Sequence, residues 1–214
     1  MHFDFQKLAP ALRYKLLIGF VVPRPIALVT TRSTAGLDNA APFSFFNVFS
    51  EDPPLVVLGL GGRPDGTLKD TTENINETGE FIVNLVDESI AKRMTLAAIE
   101  FPSDESEIDP AGFTLTPAAE VSVARIAEAP VSLECRIFQA IEVGDKSRTL
   151  MIGEVIHLHA RDGLVDPETH YINEESYKPI GRLHRALYIK TADRFEMPLM
   201  TYEEWSAKKA EEDG

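Results

Sequence analysis

Two apolar segments joined by a short polar turn dominate the hydrophobic pattern in the first quarter of the chain. Residues 26–31 are almost all apolar or β-branched, which predicts a buried strand. Residues 33–36 end in a glycine that can adopt the positive φ of a tight turn. Residues 39–49 predict a second strand, rich in phenylalanine. Pro42 cannot donate to a sheet ladder, so we expect this second strand to lie at an edge or to be bulged there.

The rest of the chain predicts short strands separated by few helices. The pattern indicates strands over residues 55–60, 81–86, 131–143, 149–160 and 183–191, and weaker ones within 112–126. It indicates helices over residues 5–17, 67–78, 89–100 and 201–210. Residues 144–147 have the composition of a hairpin turn. About seven strands linked by hairpins favour a mainly β, antiparallel barrel over βαβ units.

Composition and charge narrow the class of protein. The 214 residues fit one domain, and 44% hydrophobic with 26% charged residues is ordinary for a globular protein. The net charge of −13 disfavours nucleic acid and anionic membranes as partners. No apolar run is long enough to span a bilayer and no signal peptide is evident. Cys135 is the single cysteine, which excludes an intrachain disulfide and suits the cytoplasm.

The start of the helix predicted over residues 67–78 is a candidate anion site. It follows a loop with three glycines, and Thr67 and Asp70 have the spacing of a capping box. Free N–H groups at a helix start favour a phosphate, and Lys69, Thr71 and Thr72 would add a charge and two hydroxyls. Asp70 would oppose a phosphate, an effect that Lys69 would offset. The alternative is an ordinary polar surface helix.

Side chains for protonic or metal catalysis are not evident. His157 and His159 face one side of a predicted strand, but the sequence places no third ligand, so we expect no metal site. There is no G-x-S-x-G elbow and no G-x-G-x-x-G fingerprint. Cys135 lies within a predicted strand and is expected to be an inert buried thiol. The acidic loop at residues 103–109 could screen a pocket, contact a partner or simply be exposed.

A set of short motifs resembles the flavin reductase-like, FMN-binding split-barrel family, with its flavoredoxin-like branch the nearest match. The set covers roughly residues 15 to 190. Its parts are, in order, Pro23-Arg24-Pro25, Thr30-Thr31, NAAPFSFFN at residues 39–47, Asp52-Pro53-Pro54, Lys69-Asp70-Thr71, residues 78–84, Gly144-Asp145 and Gly153-Glu154-Val155.

The resemblance implies a Greek-key split β-barrel over residues 20–192 with a few flanking helices. Residues 1–19 would be an N-terminal extension and 193–214 a partly helical tail. The resemblance implies FMN as the cofactor, with FAD as the alternative. It also implies that the flavin lies at the interface of a homodimer. The chemistry would take place on the flavin, and no catalytic side chain is implied.

The resemblance also assigns cofactor-binding roles. The ring would lie along residues 39–42, the ribityl chain or phosphate would be bound by hydroxyl and amide side chains, and residues 69–71 would close the phosphate pocket. Arg24 would approach the phosphate or pair with an acidic residue. The implied residues are Arg24, Thr30, Thr31, Asn39, Ala40, Ala41, Pro42, Ser44, Asn47, Lys69, Asp70 and Thr71.

Two departures from the family pattern bear on the electron donor. Many relatives have a histidine, associated with nicotinamide placement, where this chain has Lys146. His184-Arg185 also stands where Gly-Gly is frequent. The sequence therefore leaves three hypotheses: an NAD(P)H-dependent flavin reductase, a flavoredoxin-type protein reduced by a redox partner protein, and a split-barrel binding module without redox function.

Overall fold

The computed structural model describes residues 1–63, 65–144 and 148–212, with side chains up to residue 209 in the last helix. The strands are β1 (Ala27–Arg32), β2 (Asp38–Phe43), β3 (Phe46–Glu51), β4 (Pro54–Gly61), β5 (Glu80–Leu85), β6 (Leu115–Thr116), β7 (Arg125–Ile126), β8 (Val131–Val143), β9 (Arg148–Ala160), β10 (Ile180–Arg182) and β11 (Tyr188–Lys190). The helices are α1 (Pro10–Phe20), α2 (Asp70–Thr78), α3 (Ala91–Leu96), α4 (Ile108–Ala111) and α5 (Tyr202–Glu212).

Seven strands form one antiparallel sheet in the order β2-β1-β5-β8-β9-β4-β3. This confirms the mainly β, antiparallel architecture; within the described ranges no pairing closes the sheet into a full barrel. The two remaining strand pairs, β6–β7 and β10–β11, are small and separate. None of the helices described is long and apolar enough to cross a membrane.

β2 occupies one edge of the sheet, as the position of Pro42 predicts. The predicted strand over residues 39–49 is instead two strands, because the chain bends at Ser44 and Phe45. β2 pairs with β1, whereas β3 pairs with β4 at the opposite edge. The bend therefore carries one sequence segment to both ends of the sheet, and the prediction of a single strand was wrong.

Several helix boundaries differ from the prediction. α2 begins at Asp70, and the side chain of its N-cap residue, Lys69, makes no capping hydrogen bond. The capping box is absent because the Thr67 hydroxyl donates to Asp65 Oδ1 at 2.7 Å instead. α1 begins at Pro10, where a proline fits the first turn, and it runs past Gly19 to Phe20. α3 covers only part of residues 89–100, and the predicted strand over 183–191 shrinks to β11.

The sheet separates two apolar clusters. Because side chains alternate along a strand, Leu28 of β1 packs on one side with α3 and α4, while Ala27 and Val29 pack on the other. On that second side Phe81 approaches β9 so closely that only glycine fits. A Cβ on Gly153 would lie 2.3 Å from Phe81 Cζ.

A layer of buried polar side chains, which we call the polar layer, fastens residues 119–126 to the sheet. It consists of Thr30, Asn84, Ser132 and Glu134. The Thr30 hydroxyl donates to the carbonyl of Ala124 at 2.8 Å, and Asn84 Oδ1 accepts from the Ile126 N–H at 3.0 Å. Glu134 accepts three backbone N–H bonds from residues 119–121. These bonds satisfy backbone groups that have no strand partner.

Candidate functional site

The outer edge of β2 is the element around which the candidate site is built. The Ala40 N–H points away from β1 and donates to Glu107 Oε2 at 3.1 Å, and the Asp38 carbonyl accepts from Ser106 Oγ at 2.6 Å. Outward-facing residues alternate along an antiparallel edge, so Pro42 faces outward too. Its missing N–H therefore leaves no ladder bond unmade. The acidic loop thus lies against this edge at Ser106 and Glu107.

Two adjoining cavities form a groove along this edge. They share Pro42, Phe43 and Ala98 as wall residues. The first cavity, about 110 Å³, reaches the start of α2 and is also lined by Asn39, Ala41, Arg63, Lys69, Asp70, Thr71, residues 97–101 and Glu107. The second cavity, about 420 Å³, is also lined by Tyr14, Ile18, Arg24, Ile26, Ser44, Met94, Arg182, Leu183, Arg185 and Tyr188. The second volume falls within the roughly 300–1,000 Å³ typical of small-molecule sites.

The first cavity combines a helix start with charged side chains in exchangeable ion pairs. Lys69 is the N-cap residue of α2, so the first N–H groups of that helix have no intrahelical partner. Lys69 Nζ lies 3.2 Å from Glu100 Oε1, in a pair whose glutamate is 71% exposed. Such exposed pairs contribute at most about 1 kcal/mol, so an anionic ligand can replace Glu100. Asp70 pairs with Arg63 at 2.7 Å, so Arg63 offsets its charge rather than Lys69.

Asn39 links the wall of this cavity to its buried carboxylate. Its amide nitrogen donates to Glu107 Oε1 at 3.3 Å when its oxygen accepts from Thr71 Oγ1 at 3.0 Å, and we assign this orientation because it satisfies both ends. Burial raises the pKa of Glu107, the Ala40 N–H opposes the rise, and the negative charge of Asp70 adds to it. The groove therefore contains a carboxylate whose charged form is disfavoured.

The second cavity is lined by three arginines. Arg24 is buried and donates to the carbonyls of Ile18, Val21 and Leu183 at 2.7–2.9 Å, and to Ser44 Oγ at 3.3 Å. Burial lowers the pKa of Arg24, and the nearby Arg182 adds to that effect. Arg182 stacks 4.5 Å above the ring of Tyr188. This cavity is locally cationic in a chain of net charge −13.

The structure brings together eight of the twelve residues that the resemblance assigns to the cofactor. Asn39, Ala41, Pro42, Lys69, Asp70 and Thr71 line the first cavity, and Arg24, Pro42 and Ser44 line the second. Two alternatives were predicted for Arg24. The predicted pairing with an acidic residue is not found among the described residues, since Arg24 donates to three carbonyls and to the Ser44 hydroxyl. Contact with a phosphate stays a prediction.

Four assigned residues lie outside the walls of the groove. Thr30 belongs to the polar layer, and Thr31 Oγ1 accepts from Asn74 Nδ2 at 3.1 Å beneath α2. The Ala40 side chain is buried in the apolar core, although its N–H bonds to Glu107. Asn47 is exposed on β3, where its side chain accepts from the next N–H. Ligand contacts from these four residues stay predictions.

Sequence reasoning missed four charged groups of the groove: Arg63, Glu100, Glu107 and Arg182. Arg63 stands in the glycine-rich loop seven residues before Asp70, which is a local signal that could have been used. Glu107 lies 67 residues from its partner Ala40, so no local pattern marks it. Of the two departures, Lys146 lies outside the described residues, and Arg185 lines the second cavity.

Comparisons with known proteins agree with this architecture. The family model described as "Flavin reductase like domain" matches residues 19–181. The 2-nitrobenzoate 2-nitroreductase NbaA of Pseudomonas fluorescens is similar at 39% identity and a TM-score of 0.87, over 94% of this chain and 98% of that one. Nitrilotriacetate monooxygenase component B of Bacillus cereus is similar at 34% identity and a TM-score of 0.87, over 92% and 98%.

Flavoredoxins share the fold at lower identity. The flavoredoxin of Desulfovibrio vulgaris (Miyazaki F) has 17% identity and a TM-score of 0.71, over 83% of this chain and 91% of that one. The resemblance to split-barrel flavin reductase-like proteins, flavoredoxins included, is thereby confirmed. At this identity the flavoredoxin likeness concerns the fold alone.

Proposed function

This protein belongs to the flavin reductase-like family, and on that premise we propose that it binds FMN in the groove beside β2 and passes electrons from NAD(P)H through the flavin to an acceptor. Flavin binding is characteristic of the family; the choice of FMN over FAD and the nicotinamide donor are parts of the proposal. The supporting observation is that an N–H-free, apolar strand edge at Pro42 lies beside the uncapped start of α2.

The first cavity fits the phosphate end of a flavin nucleotide. The N–H groups at the start of α2 can donate to phosphate oxygens, and Lys69 can supply the charge. The Thr71 hydroxyl can donate to the phosphate in exchange for its bond to Asn39. Each charge-assisted bond of this kind contributes roughly 1.5–3 kcal/mol. Arg63 neutralises Asp70, so the helix start is not opposed by an unpaired carboxylate.

The walls shared by the two cavities fit a flat heterocycle. Pro42 and Ala98 present small side chains and Phe43 adds aromatic surface, with Ala41 beside them in the first cavity. When bound, the flavin supplies the hydride and electron transfer itself, and the chain binds it, orients it and excludes water. Arg24 and Arg182 create a positive potential in the second cavity, where it would favour the anionic groups of a bound nucleotide.

The test is an absorbance spectrum of the protein reconstituted with FMN, followed anaerobically after NADH and then NADPH is added. Loss of the oxidised-flavin band with either nucleotide supports the reductase and identifies the donor. 2-Nitrobenzoate belongs among the acceptors tried, because the similar P. fluorescens protein is a 2-nitrobenzoate 2-nitroreductase. Failure to bind FMN or FAD would overturn the proposal in favour of a binding module without redox function.

A second candidate is an electron-transfer protein without its own nicotinamide site. The observation that favours it is Arg185, whose side chain lines the second cavity at a position where a small residue is frequent. Its bulk would hinder a second nucleotide stacking on the flavin. A flavin that binds tightly but stays oxidised with both nucleotides supports this candidate, whereas Arg185→Gly would then permit reduction.

We propose further that the protein acts as a cytoplasmic homodimer. Val48 and Phe49 are 70% and 69% exposed on β3, which is an edge strand of the sheet. Exposed apolar side chains on an edge strand favour association with another chain. The free, buried Cys135 supports a reducing compartment. Sedimentation of the wild type against Val48→Asp tests the dimer: dissociation to monomer supports it, and a monomeric wild type overturns it.

A further inference from the structure

Three potential metal ligands meet on the sheet away from the groove: Glu134 of β8 with His157 and His159 of β9. One ligand atom of each side chain lies within 4.8 Å of the other two. None of the three lines either cavity of the groove. From this arrangement we infer a binding site for one divalent transition-metal ion, with Zn²⁺ as the best match.

Strand pairing supplies the third ligand that the sequence could not place. His157 and His159 are two residues apart and project from the same face of β9. In the β8–β9 register His157 lies directly opposite Glu134, and His159 lies opposite Ser132, one step along the same face. Two imidazoles and one carboxylate are a recurring Zn²⁺ ligand set, with water as the fourth ligand.

The carboxylate of this cluster is held in one orientation. Glu134 is fully buried, and its two oxygens accept the N–H groups of Ala119 and Glu120 at 2.7 Å and of Val121 at 3.1 Å. His159 Nε2 lies 2.5 Å from Oε1 and completes the set. Outer hydrogen bonds of this kind orient a metal ligand before the ion arrives.

An ion pair between Glu134 and His159 explains that contact, but it does not explain His157. The His157 ring lies beside that of His159, tilted by 41° with the ring centres 4.7 Å apart. Within the described part of the chain neither of its nitrogens has a hydrogen-bond partner. Both histidines are partly exposed, so an ion could reach them from solvent. A metal site requires His157 as a ligand. A purely structural role, in which Glu134 anchors residues 119–121, does not require it.

Metal binding at this cluster exchanges one contact for three. The ion takes the position between Glu134 Oε1 and His159 Nε2, which must move apart from 2.5 Å to admit it, and His159 then binds through Nε2 and keeps its proton on Nδ1. Donor atoms around a tetrahedral Zn²⁺ are about 3.3 Å apart, given bonds of about 2.0–2.1 Å. The ligand atoms of the cluster now lie within 4.8 Å of one another. Rotation of the partly exposed His157 ring can bring its nitrogen to the shorter distance, while Glu134 stays anchored.

The test is Zn²⁺ titration of the full chain, free of any affinity tag, by calorimetry, with Co²⁺ absorption as a second probe. We expect one Zn²⁺ per chain and tetrahedral Co²⁺ bands for the wild type. His157→Asn should weaken Zn²⁺ binding by at least about 10-fold, because it removes one direct ligand. His170→Asn is the matched control: this exposed histidine has φ of 59°, a conformation that asparagine accepts, so binding should not change.

Two outcomes would overturn the inference: a wild type without a stoichiometric Zn²⁺ site, or equal affinities for the wild type and His157→Asn. Glu134→Gln is a poor probe because it disturbs the anchored loop. His157→Asn leaves every hydrogen bond of Glu134 in place, so its melting temperature without metal should equal that of the wild type. Zn²⁺ should then raise the melting temperature of the wild type and not that of His157→Asn.

Discussion

The groove beside β2 and the polar layer use the same kinds of side chain, threonine, asparagine and glutamate, in opposite ways. In the polar layer Asn84 makes four hydrogen bonds, all to this chain. In the groove the partner of Lys69 among the described residues is an exposed glutamate, and the first N–H groups of α2 have no intrahelical partner. Asn84 of the polar layer is fully hydrogen-bonded within the protein, whereas Lys69 and the first N–H groups of α2 remain available to a ligand.

This difference separates structural polar residues from binding residues better than residue type does. Thr30 and Thr71 both belong to the motif set, and both are buried. Thr30 donates to a carbonyl of residues 119–126, whereas Thr71 faces a cavity. We therefore expect substitutions in the polar layer to lower stability and substitutions in the groove to lower flavin affinity.

The largest effect is expected from Asn84→Ala. The change leaves the Ile126 N–H, the Ser132 hydroxyl and Thr30 Oγ1 short of a buried partner. At about 1–3 kcal/mol for each unsatisfied group, the free energy of unfolding should fall by at least roughly 3 kcal/mol. Urea unfolding measures it, and the exposed Asn76→Ala should change stability by less than about 0.5 kcal/mol. Equal effects of the two would contradict the structural role of the layer.

The next largest effect is expected from Glu134→Gln, which should lower the free energy of unfolding by about 2–4 kcal/mol at pH 7. Burial alone would raise the pKa of Glu134, but hydrogen bonds from Ala119, His159 and Glu120 outweigh it and hold the pKa below its ordinary value. Because the folded pKa is the lower one, the carboxylate stabilises the fold above its unfolded pKa, about 4.3, and this contribution is lost as pH falls through the folded pKa.

The difference between the wild type and Glu134→Gln should therefore narrow on acidification. Denaturant titrations at a series of pH values measure it. Glu120→Gln is the control, since the side chain of Glu120 is exposed and only its backbone bonds to Glu134. If the difference in free energy of unfolding between the wild type and Glu134→Gln stays constant with pH, Glu134 is not ionised in the folded protein.

In the groove, Lys69→Ala should weaken FMN binding by about 10- to 100-fold, the loss of one charge-assisted bond of roughly 1.5–3 kcal/mol. Stability should change little because the pair with Glu100 is exposed. Fluorescence titration of FMN measures the affinity, and the exposed Lys178→Ala is the control. If both variants bind FMN like the wild type, the phosphate does not lie at α2.

The smallest effect is expected from Glu107→Gln, which keeps an acceptor for the Ala40 N–H while removing a buried charge. Burial raises the pKa of Glu107, so wild-type stability should decline as pH rises through that raised pKa, and Glu107→Gln should lose this dependence. FMN should bind about 2- to 5-fold more tightly, since one negative charge leaves the groove. Glu105→Gln, exposed on the same loop, should leave FMN affinity nearly unchanged; a matching gain there would point to net charge instead.

The sequence by itself determined the features that depend on neighbouring residues. Alternating and continuous apolar runs placed the main strands, and β8 has the predicted bounds. Pro42 predicted the edge strand, and Lys69 and Thr71 marked a wall of the groove. The order of the motifs identified the family, because it reflects the whole chain rather than any one contact.

The tertiary structure alone decided which polar groups meet. Glu107 reaches the edge of β2 from 67 residues away, and Glu134 meets His159 only because β8 pairs with β9 in one register. A shift of one residue in that register would turn His157 and His159 to the other face of the sheet. Hydrophobic periodicity predicts that a strand forms but not which strand lies beside it. The charged side of the groove and the Glu134–His157–His159 cluster therefore become visible only in the folded chain.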